Sequence, residues 1–242
     1  MPPTTRPTPP RAAAPDAAGR AALGWLHTAR FLTTAAQLNQ LPALELPEIA
    51  FVGRSNAGKS TAINTLTQHT QLAYASKKPG RTQHINLFAL GRQSQTDAVL
   101  ADLPGYGYAA VPQLDKLRWQ RVMANYLVSR ANLAGVVMLC DARHGLKELD
   151  EALLEVIRPR VEAGLPFLVL LTKADKLNRN EQAKALSIAR LHAGGGHVML
   201  FSALKRLGVE QAAVWLRQLV DEAAPSHDAA PEPAPDGEPE AK

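Results

Sequence analysis

The amino-acid sequence predicts a doubly wound α/β fold on a mostly parallel sheet, and three observations lead there. Short apolar runs largely alternate with longer stretches of helical pattern, the rhythm of a parallel sheet with crossover helices. Four of those runs are apolar for nearly their full length, as strands are when helices cover both faces of a sheet. The first run leads straight into a glycine-framed loop and then Lys-Ser, in FVGRSNAGKSTAINTL at 51–66.

Each element has its own justification. A helical lead-in is expected over 23–41, ended by Pro42, because the residue before a proline is pushed out of the helical region. EIAFVG (48–53) is the first strand, and the apolar spacing after the loop predicts a helix over 59–68. HINLFAL (84–90) and DAVLAD (97–102) are the next two strands, followed by a helix over 113–131. GVVMLCD (135–141), PFLVLLT (166–172) and HVMLFS (197–202) are strands separated by helices over 146–163 and 180–193, and a last helix covers 208–222. Gly194, Gly195 and Gly196 stand between a helix and a strand, so they read as a flexible connection. No internal repeat is present. Ligands of such sheets bind beyond the carboxyl ends of the strands.

The chain of 242 residues is long enough for one sizeable domain with tails, and its 46% hydrophobic content supplies a core. No run of eighteen uninterrupted apolar residues predicts a membrane span, and the first residues lack the apolar segment of a signal peptide. Cys140 is the single cysteine, which excludes an internal disulfide and fits a reducing cytoplasm; lying in VVMLC, it reads as buried strand. Residues 1–20 are rich in Pro and Ala, and residues 222–242 in Pro, Ala and acidic groups, so both ends are expected to be disordered. The chain has 27 basic and 22 acidic residues, a net charge of +5. Seven acidic residues and one lysine follow from Asp221 onward, so residues 1–220 carry about +11. A body that basic fits an anionic partner such as RNA, although a solvated basic surface is the ordinary alternative.

The loop at 53–60 is built to hold phosphate. Gly53 and Gly58 let the backbone wrap an anion, Lys59 can reach the β- and γ-phosphates, and the Ser60 hydroxyl can ligate Mg²⁺. The following helix aims its N-terminus at the same place. Alone, this loop fits an ATPase, a small-molecule kinase or a GTPase. Three later segments select the nucleotide. In Asp102-Leu103-Pro104-Gly105, an Asp at a strand end can hold Mg²⁺ through water and a glycine N–H can meet the γ-phosphate. In Thr172-Lys173-Ala174-Asp175, the Asp carboxylate can accept from guanine N1–H and the 2-amino group, a donor pair adenine lacks, while the Lys173 stem lies across the base. In Ser202-Ala203-Leu204, the backbone N–H of Ala203 can meet guanine O6. Their order and separation, each at a strand end, select GTP or GDP as the ligand.

The words between these motifs narrow the match. FLTTAAQLNQLP (31–42), PEIAFVGRSNAGKS (47–60), SKKPGRTQHINLF (76–88), DLPGYGYAAVP (102–112), LCDARHG (139–145) and TKADKL (172–177) resemble the EngB (YihA/YsxC) family of ribosome-assembly GTPases, of the TRAFAC class of P-loop GTPases. The resemblance runs from about residue 30 to 220 and implies a P-loop GTPase domain over 47–221, preceded by the helical lead-in at 21–46. It implies that Gly53, Arg54, Ser55, Asn56, Ala57, Gly58, Lys59 and Ser60, with Thr61 after them, form the phosphate loop. It makes Gly80, Arg81 and Thr82 the first switch, with Thr82 joining Ser60 and Asp102 on Mg²⁺. Asp102, Leu103, Pro104 and Gly105 become the second switch; Thr172, Lys173, Ala174 and Asp175 read guanine, and Phe201, Ser202 and Ala203 close over it. Lys59, Thr82 and Gly105 are then the catalytic set. Lys78 departs from the family pattern, which has threonine there. Members of this family act in maturation of the large ribosomal subunit and are needed for normal cell division and septation. The expected partner is therefore the precursor of that subunit, its rRNA and proteins. The expected setting is a cytoplasmic monomer with no DNA or membrane partner.

Many GTPases orient the attacking water with a glutamine after DxxG, whereas Tyr106 stands here. Slow basal turnover follows, with the missing function supplied by a partner, by Arg81 or by a monovalent ion. Asn56 resembles the phosphate-loop asparagine that helps hold K⁺ in related GTPases, and a plain loop hydrogen bond is its other reading. Tyr106 and Tyr108, set among glycines, read as exposed anchors for a partner, or else as packing against a neighbouring helix. In the helix after them, Trp119, Met123 and Tyr126 form a core stripe, and Arg118, Arg121 and Arg130 a basic face that is either solvated or laid on rRNA phosphates. His84 and His144 lack partners at metal-ligand spacing, so no zinc site is expected. Two other functional classes remain: a P-loop small-molecule kinase, against which TKAD and SAL argue, and a nucleotide-gated scaffold for division proteins with incidental hydrolysis.

Overall fold

Burial of apolar strands between two helical layers organises the chain. The computed structural model describes residues 17–73, 84–92, 95–107 and 113–223. Seven strands form one sheet: β1 (Arg30–Ala35), β2 (Glu48–Gly53), β3 (Ile85–Arg92), β4 (Gln95–Asp102), β5 (Leu133–Asp141), β6 (Phe167–Thr172) and β7 (His197–Leu200). Their spatial order is β1-β3-β4-β2-β5-β6-β7. From β4 to β7 every pairing is parallel, whereas β3 runs antiparallel to both β1 and β4. The chain leaves β2 for one side of the sheet and later returns to pair β5 on its other side. The carboxyl end of β2 is therefore the topological switch point, where such sheets open a crevice.

The period-2 alternation of the strands builds two cores. Ile49 and Phe51 of β2, with Val137, Leu139, Leu168 and Leu170, face helices α1 (Ala17–Leu26), α2 (Lys59–Thr67) and α6 (Val209–Ala223) through Leu26, Ile63, Leu66 and Leu216. Ala50 and Val52, with Met138, Cys140, Val169 and Leu171, face α3 (Gln113–Ser129), α4 (Glu148–Glu162) and α5 (Arg179–His192) through Tyr126, Leu127, Leu154, Ile157 and Ala189. The sheet is thus doubly wound. Among the described residues no helix is long and apolar enough to cross a membrane.

Two parts of the sequence reading change. The lead-in is not one helix over 23–41: it is α1, then strand β1, then a short 3₁₀ turn at Leu38–Gln40. β1 is an edge strand whose register shifts between Phe31 and Thr33, and Phe31 and Leu32 both lie exposed. That bulge removes the alternation that announces a strand. The N-terminal tail was drawn to residue 20, yet Ala17–Arg20 already belong to α1; at the other end, α6 continues to Ala223. The rest of both tails lies outside the described residues.

The α3 face also differs from one of its readings. Met123 and Tyr126 are buried, as a core stripe requires. Arg130 is committed inward: its Nε and a terminal nitrogen donate to the Glu48 carboxylate at 2.9 and 3.0 Å, and the guanidinium also reaches Pro42 O at 3.0 Å. The Tyr126 hydroxyl donates to the same carboxylate. Glu48 has no exposed surface, and a carboxylate buried alone would cost several kcal/mol, so these donors are what allow it there. Burial, and then the Glu48 charge, pushes the Tyr126 phenol well above its usual range. Arg118 and Arg121 remain on the exposed side; the Trp119 side chain lies outside the described set.

Candidate functional site

The site gathers at the carboxyl ends of β2, β4, β5 and β6 and the segment after β7. Gly53 ends β2, and Arg54 to Gly58 turn back into α2, whose first residues are Lys59, Ser60 and Thr61. Gly58 has a φ of 93°, the left-handed region a glycine adopts without strain, and Asn56 sits at 66°. Gly53 is a glycine for another reason. A side-chain carbon there would lie 2.8 Å from the Leu139 carbonyl oxygen on β5.

Charge at the phosphate end is concentrated on one pair. Lys59 Nζ donates to Asp102 Oδ1, and both residues are buried. The other oxygen, Asp102 Oδ2, is buried and without a hydrogen-bond partner among the described residues. A buried carboxylate oxygen left free beside a phosphate loop suits a hard, oxygen-seeking cation, so Mg²⁺ fits the residues present. Leu103, Pro104 and Gly105 follow Asp102 out of β4. A side-chain carbon at Gly105 would lie 3.5 Å from Ser55 N, so the segment rests against the phosphate loop. Gly80, Arg81 and Thr82, and with them Lys78 and Tyr108, lie outside the described residues.

The base-reading end is assembled by its own hydrogen bonds. Lys173, with a φ of 57°, extends its ammonium back across the site to Asn56 O at 2.8 Å and Asp141 Oδ2 at 2.9 Å. Arg143 grips the same Asp141 carboxylate at 2.7 and 2.9 Å. Burial works to raise the Asp141 pKa, but the bonds from Arg143 and Lys173 outweigh it and hold the group ionised far below the usual carboxylate range. Asp175 sits in the turn Ala174–Lys176, where the Ser202 hydroxyl donates to its Oδ1 at 2.6 Å and lowers its pKa. Ala174 N donates to Phe201 O at 3.1 Å, which ties this turn to the segment after β7. The Thr172 hydroxyl donates to Ala57 O at 2.5 Å, so it joins the two loops rather than facing a base. Beside these groups opens a cleft of about 470 Å³, lined by Gly58, Thr61, Thr172, Lys173, Asp175, Phe201, Ala203 and Leu204 among others. That volume is in the range of small-ligand sites.

Three features escaped the sequence. Asp141 lies within LCDARHG with no role of its own implied there; its signal is the one shared by the other site residues, a polar group ending an apolar strand. Lys176 and Leu204 also line the cleft. Tyr106 is not an exposed anchor: it is 8% exposed, and its hydroxyl donates to buried Asp150 on α4 at 2.7 Å. It packs inward, as its alternative reading has it, but its hydroxyl is bound to α4 and not to the helix that follows it in the chain. Burial, then the Asp150 charge, raises its phenol pKa well above the usual value.

Strand-end loops with these residues, on this doubly wound sheet, are those of a GTP-binding P-loop GTPase. A family model described as "50S ribosome-binding GTPase" matches residues 48–173. The chain is 76% identical over 196 residues to a probable GTP-binding protein EngB of Acidovorax ebreus, covering 81% of this chain and 90% of that protein. It is 47% identical over 214 residues to the Burkholderia pseudomallei protein of the same description, covering 85% and 96%. The chain belongs to the EngB family of GTP-binding proteins. Among solved structures, a probable GTP-binding protein EngB superposes with a TM-score of 0.57 at 22% identity, over 72% of this chain and 99% of that one. Era from Aquifex aeolicus, bound to GDP and AlF₄⁻, superposes with the same TM-score at 20% identity, over 74% and 57%. Both share the fold.

Proposed function

We propose that this GTPase is a slow switch in assembly of the large ribosomal subunit, acting in the cytoplasm, with normal division and septation depending on that role. The single observation that carries the switch is the contrast at Asp102: one oxygen held by Lys59, the other buried and free, directly beside a loop shaped for phosphate. Lys59 then exchanges Asp102 for the β- and γ-phosphates when nucleotide enters. Ser60, Thr82 and Asp102 would hold Mg²⁺, which would supply positive charge to neutralise the phosphates. Gly105 offers its N–H to the γ-phosphate, and the backbone of Gly53 to Thr61 cradles the chain of phosphates. Asp175 accepts from guanine N1–H and the 2-amino group, the Lys173 stem covers the base, and Ala203 N–H meets O6 under the cover of Phe201. Gly80 and Arg81 join Thr82 as nucleotide contacts, and the γ-phosphate adds a further hold on the segments around Thr82 and Gly105 that hydrolysis releases.

Turnover is slow because Tyr106, bonded to Asp150, supplies no group to orient water. Asn56 is the candidate K⁺ contact; equal hydrolysis rates in K⁺ and Na⁺ exclude it. The description of the matching family model supports the ribosomal partner, and exposed Arg118 and Arg121 supply a face for rRNA phosphates. The test is co-sedimentation with immature and mature ribosomal subunits in GTP, a non-hydrolysable analogue or GDP, across a salt series. Large-subunit binding that needs the triphosphate and weakens with salt is the expected result. Binding to neither subunit in any nucleotide state overturns the reading and favours a scaffold for division proteins.

A further inference from the structure

Asp150 lies in the first turn of α4, fully buried and outside every nucleotide-binding motif. Its carboxylate has three partners, two hydrogen-bond donors and one cation. Oδ1 takes the Tyr106 hydroxyl at 2.7 Å; Oδ2 takes the backbone N–H of Lys147 at 2.9 Å and pairs with Arg54 Nε at 3.2 Å. The Lys147 bond is the cap of α4, so the carboxylate is fixed to a rigid element. The other two partners come from the two loops that flank the phosphates. Arg54 is the residue after Gly53, and Tyr106 the residue after Gly105.

The backbones of those loops already meet as a short parallel bridge at Arg54 and Tyr106. Ser55 N donates to Tyr106 O at 2.7 Å, but the companion bond, Tyr106 N to Gly53 O, is long at 3.4 Å. Two backbone bonds, one of them weak, hold a loop loosely. A shared buried carboxylate that grips both side chains holds it firmly, because either side chain leaving would take a partner from a carboxylate sealed from water.

We propose that Asp150 is a positioning residue that latches Tyr106 and Arg54 together, seats Gly105 against the phosphate loop and so raises the affinity for GTP relative to GDP. The inference rests on the reading of Gly105 as the γ-phosphate contact. A diphosphate makes no contact there, so the latch acts on the triphosphate alone. It also gives the tyrosine in the usual glutamine position a role of its own: its hydroxyl reaches across to α4.

The full chain carrying Tyr106→Phe loses one hydroxyl and keeps the ring; Asp150→Asn keeps the shape and loses the charge. Calorimetric titration with Mg²⁺ and a non-hydrolysable GTP analogue, and separately with GDP, reads the effect, with thermal melts alongside. In Tyr106→Phe the analogue weakens about fivefold while GDP binding stays unchanged. The double variant shifts the analogue-to-GDP ratio by less than the product of the single shifts, since both break one latch. Gly105→Ala tests the parent reading in the same titrations. A ratio that moves in Gly105→Ala but not in Tyr106→Phe, with only a lower Tm in the latter, overturns the latch and leaves Asp150 a helix cap. A ratio unmoved in both overturns the γ-phosphate reading as well. Tighter analogue binding in Tyr106→Phe overturns the latch too, because it would then oppose the triphosphate.

Discussion

The two ends of the nucleotide site differ in how much of each is already built. At the base end, Lys173, Asp175, Ser202 and Thr172 are held by one another and by the Asn56, Ala57 and Asp141 groups. At the phosphate end, a buried lysine and aspartate face each other and one carboxylate oxygen has no partner among the described residues. The first end is pre-organised; the second holds its charges in reserve for a ligand. Affinity that comes from the Lys173–Asp175 end is common to GDP and GTP, whereas discrimination between them must come from the end that would meet the γ-phosphate.

Mutations can break that division of labour. The largest effect is expected at the phosphate end: Lys59→Ala lowers kcat for GTP hydrolysis by about 10²–10³, measured by single-turnover phosphate release, because a cation aimed at the developing charge is gone. A variant retaining full rate would show that Lys59 belongs to Asp102 and not to the phosphates. At the base end, Asp175→Asn weakens guanine nucleotides about 100-fold through loss of charge-assisted hydrogen bonds. The asparagine amide can donate to the 2-oxo group of xanthine, so competition between GDP and XDP reports the gain as well as the loss. Equal loss for GDP and GTP sharpens the contrast between the ends.

The smallest effect is at Ser202→Ala, about fivefold weaker binding of GDP and GTP alike. Its pH dependence carries the sign. The Ser202 hydroxyl lowers the Asp175 pKa, so binding that needs the ionised group persists above that pKa and is lost as pH falls through it. Without the hydroxyl the pKa rises toward the ordinary value, and GDP affinity begins to fall at a higher pH than in the parent chain. Superimposable acid limbs in fluorescence titrations would remove Ser202 from this role.

The strands were legible because both faces are covered: VVMLC and FLVLL have no polar face to hide. β2 was legible to the residue, and the glycine-framed loop gave the turn that follows it. β1 was not, because its bulge and exposed Phe31 and Leu32 erase the pattern of a half-buried strand. The strand-end places of Thr172, Lys173, Asp175 and Ser202 were legible as words. Their supports were not: Asp141 and Lys173 are separated by 32 residues, Tyr106 and Asp150 by 44, and Arg130 and Glu48 by 82. Local pattern announces which side chains end a strand, but a carboxylate that binds a distant donor leaves no periodic trace. Glu48 is the sharpest case, an acidic residue opening an apolar strand and wholly buried, with partners from α3 and the residue just after it.

Gly53 and Gly58 appear in the sequence as one symbol written twice, yet alanine would be refused at each for unrelated reasons. At position 58 the obstacle is torsional, since a left-handed backbone penalises an L side chain even though Thr172 Oγ1 leaves 3.4 Å of room. At position 53 the obstacle is spatial and belongs to the sheet, for the intruding carbon would press on the Leu139 backbone of the next strand. A lesion at 53 is therefore architectural damage that would pass for lost nucleotide affinity in any assay that reads ligand alone.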